Sequence, residues 1–176
     1  MTPNRTAPWL LIFAGLPGVG KSTLAQGVAR ELGATYLRID TIEQGLRDLC
    51  GFDVQGEGYA LAHRVAADNL RLGGVVVADA CNPIEVTRRA WEQVAKDAGA
   101  SFVNVEVVCG DEGEHRARVE TRAVEVVGLR NPTWDDVQRR TYAAWTVERL
   151  VVDTAGRSEA ESLRELSAML RQARSD

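Results

Sequence analysis

The chain has 176 residues, of which 45% are hydrophobic and 26% are charged, and its formal net charge at pH 7 is −4. We expect one domain spanning residues 1–176, because this length suits a single domain of about 100–200 residues. The small net charge and ordinary apolar content disfavour a disordered chain, and the acidic balance disfavours a nucleic acid partner.

Neither a membrane span nor a disulfide framework is predicted. The longest purely apolar run, residues 9–14, is far shorter than the ~20 residues that cross a bilayer. Cys50, Cys81 and Cys109 are odd in number and lack metal-ligand spacing, which favours a reduced, cytoplasmic location. The sequence carries no signal for an oligomeric state.

Five short apolar runs are predicted to be strands, with longer helical patterns between them. Several of these runs are apolar throughout, so we expect strands that are covered on both faces, as in a parallel sheet. The alternation predicts a three-layer α/β/α fold with a mostly parallel five-stranded sheet. The predicted strands comprise residues 9–14, 35–39, 74–78, 102–108 and 150–152.

Three predicted helices have recognisable N-terminal signals. Residues 41–44 (Thr-Ile-Glu-Gln) and 158–161 (Ser-Glu-Ala-Glu) fit capping boxes. Asn82 and Pro83 fit an N-cap followed by the first helical residue.

The arginine-rich stretch 116–149 has no strand pattern and indicates a helical lid over about residues 111–146.

Lysine is rare in this chain, and one lysine lies inside a glycine cluster. Nineteen of the 21 basic residues are arginine, and the only lysines are Lys21 and Lys96. Residues 15–22 read Gly-Leu-Pro-Gly-Val-Gly-Lys-Ser, which is the phosphate-binding loop pattern G-x-x-x-x-G-K-[ST]. The motif predicts that the loop N–H groups and the helix N-terminus hold polyphosphate oxygens, that Lys21 reaches the β- and γ-phosphates, and that Ser22 binds Mg²⁺. The expected nucleotide-binding residues of the loop are Gly15, Pro17, Gly18, Val19, Gly20, Lys21, Ser22 and Thr23.

The nucleotide is predicted to be ATP, because the guanine-reading N-K-x-D signature of GTPases is absent. A mechanical or remodelling ATPase would need a longer chain. A compact domain with this loop therefore favours a kinase.

Two acidic residues are predicted at the carboxyl ends of strands, where open α/β sheets bind their ligands. Asp40 ends the second predicted strand and could accept the proton of an acceptor hydroxyl. Its alternative role is to cap the helix that begins near Thr41.

Asp79 ends the third strand, at the Walker B position, where it would hold Mg²⁺ or contact the substrate. A strand-terminal cap is the alternative for Asp79.

Four arginines are candidates for contacts with anions. Arg118 and Arg122 are four residues apart and so share one face of a predicted helix. As lid arginines they would neutralise the charge of the transferred phosphate, and pairing with nearby glutamates on a solvated face is their alternative. Arg47 and Arg88 are candidates for acceptor binding, although an exposed position on a helix face is the more common outcome for an arginine such as Arg88.

The loop after the last predicted strand is a candidate for the adenine side of the site. Thr154 and Gly156 lie in this loop, which could recognise the base through backbone groups. His63 and His115 have no triad or metal partner at a useful spacing, and the tryptophans are interpreted as packing residues.

Together these motifs resemble the small AAA-type P-loop kinases, a group that is similar to chloramphenicol phosphotransferase, gluconate kinase and the zeta-toxin kinases. The resemblance is carried by the phosphate-binding loop, by Arg88 and by residues 38–40, 76–82, 118–122 and 152–156, and it extends over about residues 9–170. It implies ATP and Mg²⁺ as cofactors and transfer of the γ-phosphate to a small-molecule hydroxyl acceptor. It also implies Asp40 as the general base and Arg118 and Arg122 as the lid arginines.

The acceptor stays open at this point. The D-G-D-x-x-H pattern of gluconate kinases is absent, and residues 45–59, where acceptor specificity should reside, match no pattern that we can name. The leading hypothesis is an ATP-dependent small-molecule kinase. The alternative is a zeta-toxin-like or regulatory ATP-binding module that acts on a nucleotide sugar or a macromolecule. A polynucleotide 5′-hydroxyl kinase is disfavoured by the acidic charge.

Overall fold

A five-stranded parallel sheet forms the centre of the computed structural model, which describes residues 7–51 and 53–175. The strand order is β2-β3-β1-β4-β5, and every neighbouring pair is parallel. The predicted strands are confirmed, with shifts of one residue at some ends. The strands are β1 (Trp9–Ala14), β2 (Thr35–Arg38), β3 (Val75–Asp79), β4 (Ser101–Val108) and β5 (Leu150–Asp153).

Helices cover both faces of the sheet and bury its central strand completely. On one face, Leu11 and Phe13 of β1 belong to a core cluster that includes residues of helix α1 (Lys21–Leu32) and helix α7 (Glu159–Ala173). On the other face, Leu10 and Ile12 pack in a cluster with residues of helix α3 (Glu57–Arg71) and helix α4 (Glu85–Asp97). Burial on both sides explains why β1 is apolar at every position. The helices are α1 (Lys21–Leu32), α2 (Ile39–Cys50), α3 (Glu57–Arg71), α4 (Glu85–Asp97), α5 (Glu112–Thr121), α6 (Trp134–Arg139) and α7 (Glu159–Ala173). The three-layer α/β/α fold is thereby confirmed.

The sheet register brings the carboxyl ends of β1, β2 and β3 together. Phe13 pairs with Asp79, and Arg38 pairs with the same Asp79 from the other side. The phosphate-binding loop follows β1, so it lies beside the ends of β2 and β3, at the edge where open α/β sheets place their ligands.

The two predicted capping boxes have different outcomes. At α7, the Ser158 hydroxyl accepts a hydrogen bond from the Glu161 amide, and the Glu161 carboxylate accepts one from the Ser158 amide. This capping box is therefore confirmed. The box predicted at Thr41 is wrong, because α2 begins at Ile39 directly after β2. Asp40 therefore lies in the first helical turn rather than at the strand end. Ile39 is buried in the core, which draws the helix start back toward the strand.

The predicted cap at Asn82 is also wrong. Helix α4 begins at Glu85, with Ile84 at its N-cap position. Asn82 is fully buried in the left-handed conformation (φ 44°), and its Nδ2 donates to the Phe13 carbonyl at 2.8 Å. The Asn82 amide thus ties the end of β1 to the chain after β3, and this tertiary contact replaces the capping role.

Residues 112–149 contain helices α5 and α6 and no strand, as predicted for this excursion. Helix α5 ends at Thr121, and Arg122 is an extended C-cap residue. The prediction that Arg118 and Arg122 share one helix face is therefore wrong.

Among the described residues, no helix is both long and apolar enough to cross a membrane. The three cysteines are unpaired.

Candidate active site

The phosphate-binding loop wraps closely around the end of β1. Gly15 has a φ of +148°, and a Cβ atom built there would lie 2.4 Å from the Val107 carbonyl oxygen, so only glycine fits. Its amide donates to the Cys81 carbonyl at 3.2 Å. A Cβ at Gly18 would lie 2.5 Å from Val119 Cγ2 of α5. The glycines of the motif thus allow close packing of the loop against β4 and α5.

The N-terminus of α1 is open to an anionic ligand. Gly20 occupies the N-cap in the left-handed conformation, with no side-chain hydrogen bond to the helix and no acidic residue in the first turn. The first helical residues are Lys21, Ser22 and Thr23, and all three line the cleft. Free amides at a helix N-terminus bind phosphate through hydrogen bonds and the helix dipole.

Lys21 is ion-paired with Asp79, and Asp79 is buried to 1% exposure. The Tyr36 hydroxyl donates to the second oxygen of the same carboxylate at 2.6 Å. Burial opposes ionisation of Asp79, but the charge of Lys21 and hydrogen bonds from Lys21, Tyr36 and Ser22 hold its pKa below the usual range. Burial, together with the neighbouring Asp79 charge, raises the pKa of Tyr36. Asp79 is therefore an anion, and Tyr36 is a neutral donor.

A cleft of about 930 Å³ opens above this network, between the phosphate-binding loop and the lid segment. Most of the predicted site residues line it, and it also contains Arg38 and Glu125. Val19 and Asp79 lie behind its surface, since both are almost fully buried. The predicted site residues that line the cleft are Gly15, Pro17, Gly18, Gly20, Lys21, Ser22, Thr23, Asp40, Arg47, Arg118, Arg122 and Thr154.

Helix α5 is docked on the phosphate-binding loop. The His115 ring nitrogen Nε2 lies 2.8 Å from the Pro17 carbonyl oxygen, and the His115 ring meets Trp134 edge to face at 5.1 Å. Arg118 donates from Nη1 to the Thr154 hydroxyl at 2.8 Å and from Nη2 to the Thr154 carbonyl at 3.0 Å. These contacts place Arg118 at the rim of the loop.

The loop after β5 supports the phosphate-binding loop from behind. The Thr154 hydroxyl lies 2.8 Å from the Val19 carbonyl oxygen and 3.1 Å from that of Val108. The amide of Gly156 donates to Glu114 at 2.8 Å, and Glu114 in turn pairs with Arg118. Thr154 lines the cleft, and Gly156 joins the site only through Glu114.

Asp40 and Arg47 lie on α2, on the β2 side of the cleft. The Asp40 side chain is 51% exposed, and its Oδ2 lies 4.0 Å from Arg38 Nε. Arg47 donates to Glu43 at 3.3 Å. The Asp40 carboxylate is therefore accessible from this side of the cleft.

Arg88 is not brought to the cleft. It is 2% exposed and donates to the carbonyls of Asn82 at 2.8 Å and Ala143 at 2.9 Å. Its guanidinium carbon also lies 4.0 Å from the centre of the Trp145 ring. Arg88 therefore joins α4 to residues 143–145, near the end of the segment predicted to be the lid. The predictions of an exposed position and of acceptor binding for Arg88 are both wrong.

Sequence reasoning missed Arg38 as a site residue. It is 9% exposed, lines the cleft at the end of β2, and donates from Nη1 to Glu125 Oε2 at 2.8 Å. Burial lowers the pKa of Arg38, but the bond and the charge of Glu125 outweigh this, and the pKa is raised overall. A charged residue inside the apolar run 35–39 was the available signal.

The comparisons with known proteins agree with this fold. A profile described as "AAA domain" matches residues 10–144. No curated protein matches the sequence. A provisionally identified kinase from Chloroflexus aurantiacus is 17% identical with a TM-score of 0.72, over 92% of this chain and 98% of that one. A gluconokinase from Sinorhizobium meliloti is 21% identical with a TM-score of 0.67, over 97% and 96% of the two chains.

A third similar structure is the Mycobacterium tuberculosis APS kinase in complex with AMPPNP and APS. It is 22% identical with a TM-score of 0.61, over 94% of this chain and 98% of that one. At such identities the likeness shows the fold, which is the one these kinases share. Since the matching profile spans most of the sequence, the chain belongs to the AAA domain family and has the α/β/α fold of the P-loop kinases that it resembles.

Proposed function

We propose that this protein is an ATP-dependent phosphotransferase that moves the γ-phosphate of ATP to a hydroxyl group of a small molecule. The observation that carries the proposal is the pairing of two features across one cleft. The open N-terminus of α1, with Lys21, faces the cleft on one side, and the exposed carboxylate of Asp40 faces it on the other. One side suits a polyphosphate, and the other suits a hydroxyl that must lose its proton.

The phosphate-binding loop would hold the nucleotide. Its free amides and the helix dipole would bind the β- and γ-phosphates, and Lys21 would leave Asp79 to follow the charge that develops during transfer. Arg118 and Arg122 are the lid arginines of this proposal. Both line the cleft, and Arg122 Nε is buried without a hydrogen-bond partner among the described residues, so it has donor capacity for a phosphate oxygen.

Ser22 and Asp79 would hold Mg²⁺. The Ser22 hydroxyl hydrogen-bonds the Asp79 carboxylate, so two oxygen ligands lie side by side where the start of α1 meets the end of β3. This fits a cation that binds one or two protein oxygens and completes its shell with phosphate and water. Bound there, Mg²⁺ would neutralise charge on the β- and γ-phosphates.

Asp40 would act as the general base. A carboxylate that accepts the acceptor proton during attack contributes typically 10²–10⁴-fold. The lid would exclude water, so that the phosphate passes to the acceptor rather than to solvent. Thr154 and Gly156 would lie on the adenine side, where Thr154 also supports the loop that holds the phosphates.

An ATP-consumption screen over hydroxylated metabolites, antibiotics, nucleosides and sugars tests this proposal. We expect at least one compound to raise ATP consumption above the rate without acceptor. The Lys21→Ala variant should lose this response, and Lys96→Ala, which removes the only other lysine from an exposed position, should keep it. Acceptor-independent ATP consumption in every case would count against a small-molecule kinase.

A further inference from the structure

The cleft carries more positive charge than the nucleotide side needs. Eight cationic side chains line it, against five carboxylates. The proposed nucleotide site uses Lys21, Arg118 and Arg122, which leaves five of the eight cationic side chains without a part in it. The cationic residues are Lys21, Arg38, Arg47, Arg118, Arg122, Arg130, Arg139 and Arg140, and the acidic residues are Asp40, Glu43, Glu125, Asp136 and Glu159.

Arg38 lies on the acceptor side of the cleft. It ends β2, an edge strand that β3 separates from β1 and the phosphate-binding loop. Thr154, directly after β5, contacts that loop at Val19, and Arg118 of α5 binds Thr154, so both lie toward the opposite edge of the sheet. Arg38 is also two residues from Asp40, and Asp40 Oδ2 lies 4.0 Å from its Nε. A group bound by Arg38 would therefore belong to the molecule whose hydroxyl meets Asp40.

The hydrogen bonding of Arg38 indicates the chemistry of that group. Arg38 is more than nine-tenths buried, and its Nη1 is bound to the carboxylate of Glu125, a lid residue whose side chain is 48% exposed. Its Nε is buried and has no hydrogen-bond partner among the described residues. An arginine fork binds carboxylate and phosphate with two parallel bonds. While Glu125 occupies Nη1 of Arg38, the buried Nε, 4.0 Å from Asp40 Oδ2, makes no hydrogen bond.

We infer that Arg38 is an anion subsite for the acceptor, occupied by the Glu125 carboxylate until the acceptor's own oxyanion, a phosphate ester or a carboxylate, replaces it. This inference rests on the proposed function, because it names the class of acceptor: a hydroxylated anion. The acceptor binds through its oxyanion at Arg38, which brings its hydroxyl toward Asp40. Glu125 then leaves the site with the lid segment between α5 and α6.

Binding of small anions tests the subsite without any turnover. The ¹⁵N-labelled protein is saturated with AMPPNP and Mg²⁺, so that the phosphate-binding loop is filled, and is titrated with inorganic phosphate and, separately, with acetate. We expect chemical-shift changes centred on the amides of residues 38 and 125. The anion that binds more tightly, phosphate or acetate, then indicates whether the acceptor carries a phosphate ester or a carboxylate. Shifts confined to residues 15–23, or none with either anion, would overturn the inference.

Three variants sharpen the test. Arg38→Gln should weaken anion binding by about tenfold or more, since a charge-assisted pair is lost. Glu125→Gln should strengthen it roughly threefold or more, because the occupant of the site loses its charge. Arg116→Gln removes an exposed arginine of α5 that is paired with Glu120 and does not line the cleft, so it should bind like the wild type. If Arg38→Gln and Arg116→Gln weakened anion binding equally, the effect would come from the net charge of the protein, and the subsite would be overturned.

Separate controls distinguish failure of the subsite from misfolding of the variant and from failure of the proposed function. AMPPNP affinity reports folding of Arg38→Gln, and if that variant does not fold, unchanged anion affinity in Glu125→Gln overturns the subsite alone. Once an acceptor is identified, Arg38→Gln should raise its KM and leave the KM for ATP unchanged. If no acceptor is phosphorylated but anions still shift residues 38 and 125, the kinase proposal fails and the anion site stands.

Discussion

The ammonium group of Lys21 is ion-paired with the buried carboxylate of Asp79, which also accepts a hydrogen bond from Tyr36. The pair holds the lysine of the phosphate-binding loop against the end of β3. A nucleotide that enters the cleft would therefore have to draw Lys21 away from Asp79. Ser22 lies beside both groups, with its hydroxyl oxygen 3.5 Å from the Lys21 ammonium group.

Lys21→Ala should abolish phosphate transfer, because no other cation of the loop can follow the moving phosphate. We expect a loss on the order of 10²–10³-fold or greater, as for removal of one preorganised group that stabilises transition-state charge. The matched control is Lys96→Ala, whose side chain is 55% exposed and lies 4.0 Å from Glu92. Steady-state kinetics with the identified acceptor measures both variants, and wild-type turnover in Lys21→Ala would contradict the account.

Asp40→Asn should bind AMPPNP normally and transfer phosphate slowly. The substitution keeps the size of the side chain but removes the base, so kcat should fall by about 10²–10⁴-fold. Asp48→Asn changes a carboxylate on the same helix that is outside the cleft and accepts from Gln44 at 2.9 Å, and it should behave as wild type. An Asp40→Asn variant with the wild-type rate would remove the base assignment.

Arg88→Ala should destabilise the protein without a direct effect on nucleotide contacts. The substitution leaves backbone carbonyls at Asn82 and Ala143 without their buried donor, and we expect a loss of about 3–5 kcal/mol in the free energy of unfolding. The neighbouring Arg89→Ala, at an exposed position paired with Glu85, should change stability by less than about 0.5 kcal/mol. Urea denaturation compares the two, and equal effects would show that Arg88 has no special anchoring role.

His63 should make stability fall as the pH decreases. Burial lowers the pKa of His63 in the folded state, so the unfolded chain takes up the proton first, near the ordinary histidine pKa of about 6.5. Folding stability is then lost as the pH falls below that value, until the folded protein is protonated as well. His63→Gln should show a shallower loss between pH 7 and 5. His115 is present in both proteins, so the difference isolates His63, and identical pH profiles would contradict this prediction.

Local patterns with a strict chemical requirement could be predicted from the sequence. The phosphate-binding loop, the apolar strands and the capping box at Ser158 depend on residues that are close in the chain, and the structure contains all three. The capping predictions at Thr41 and Asn82 failed because distant groups decide those positions. Ile39 enters the core and starts α2 early, and the Asn82 amide binds the Phe13 carbonyl.

The arginines show the same limit. No local signal distinguishes Arg88, which is surrounded by backbone carbonyls, from an exposed helical arginine such as Arg89. For Arg38 the local signal is a charge inside the apolar run 35–39, and its place in the site becomes clear when the fold brings it against the distant residue Glu125. Contacts between segments that are far apart in the sequence decide which arginines meet the cleft.

The destination of the γ-phosphate tests the central claim most directly. ATP and the acceptor that gives the largest response are incubated with the enzyme, and ³¹P NMR follows the phosphorus signals. We predict a phosphate-ester resonance that grows in step with ADP, that is absent with Lys21→Ala, and that is much slower with Asp40→Asn. Inorganic phosphate as the only new signal beside ADP, or no ADP at all, would contradict a phosphotransferase.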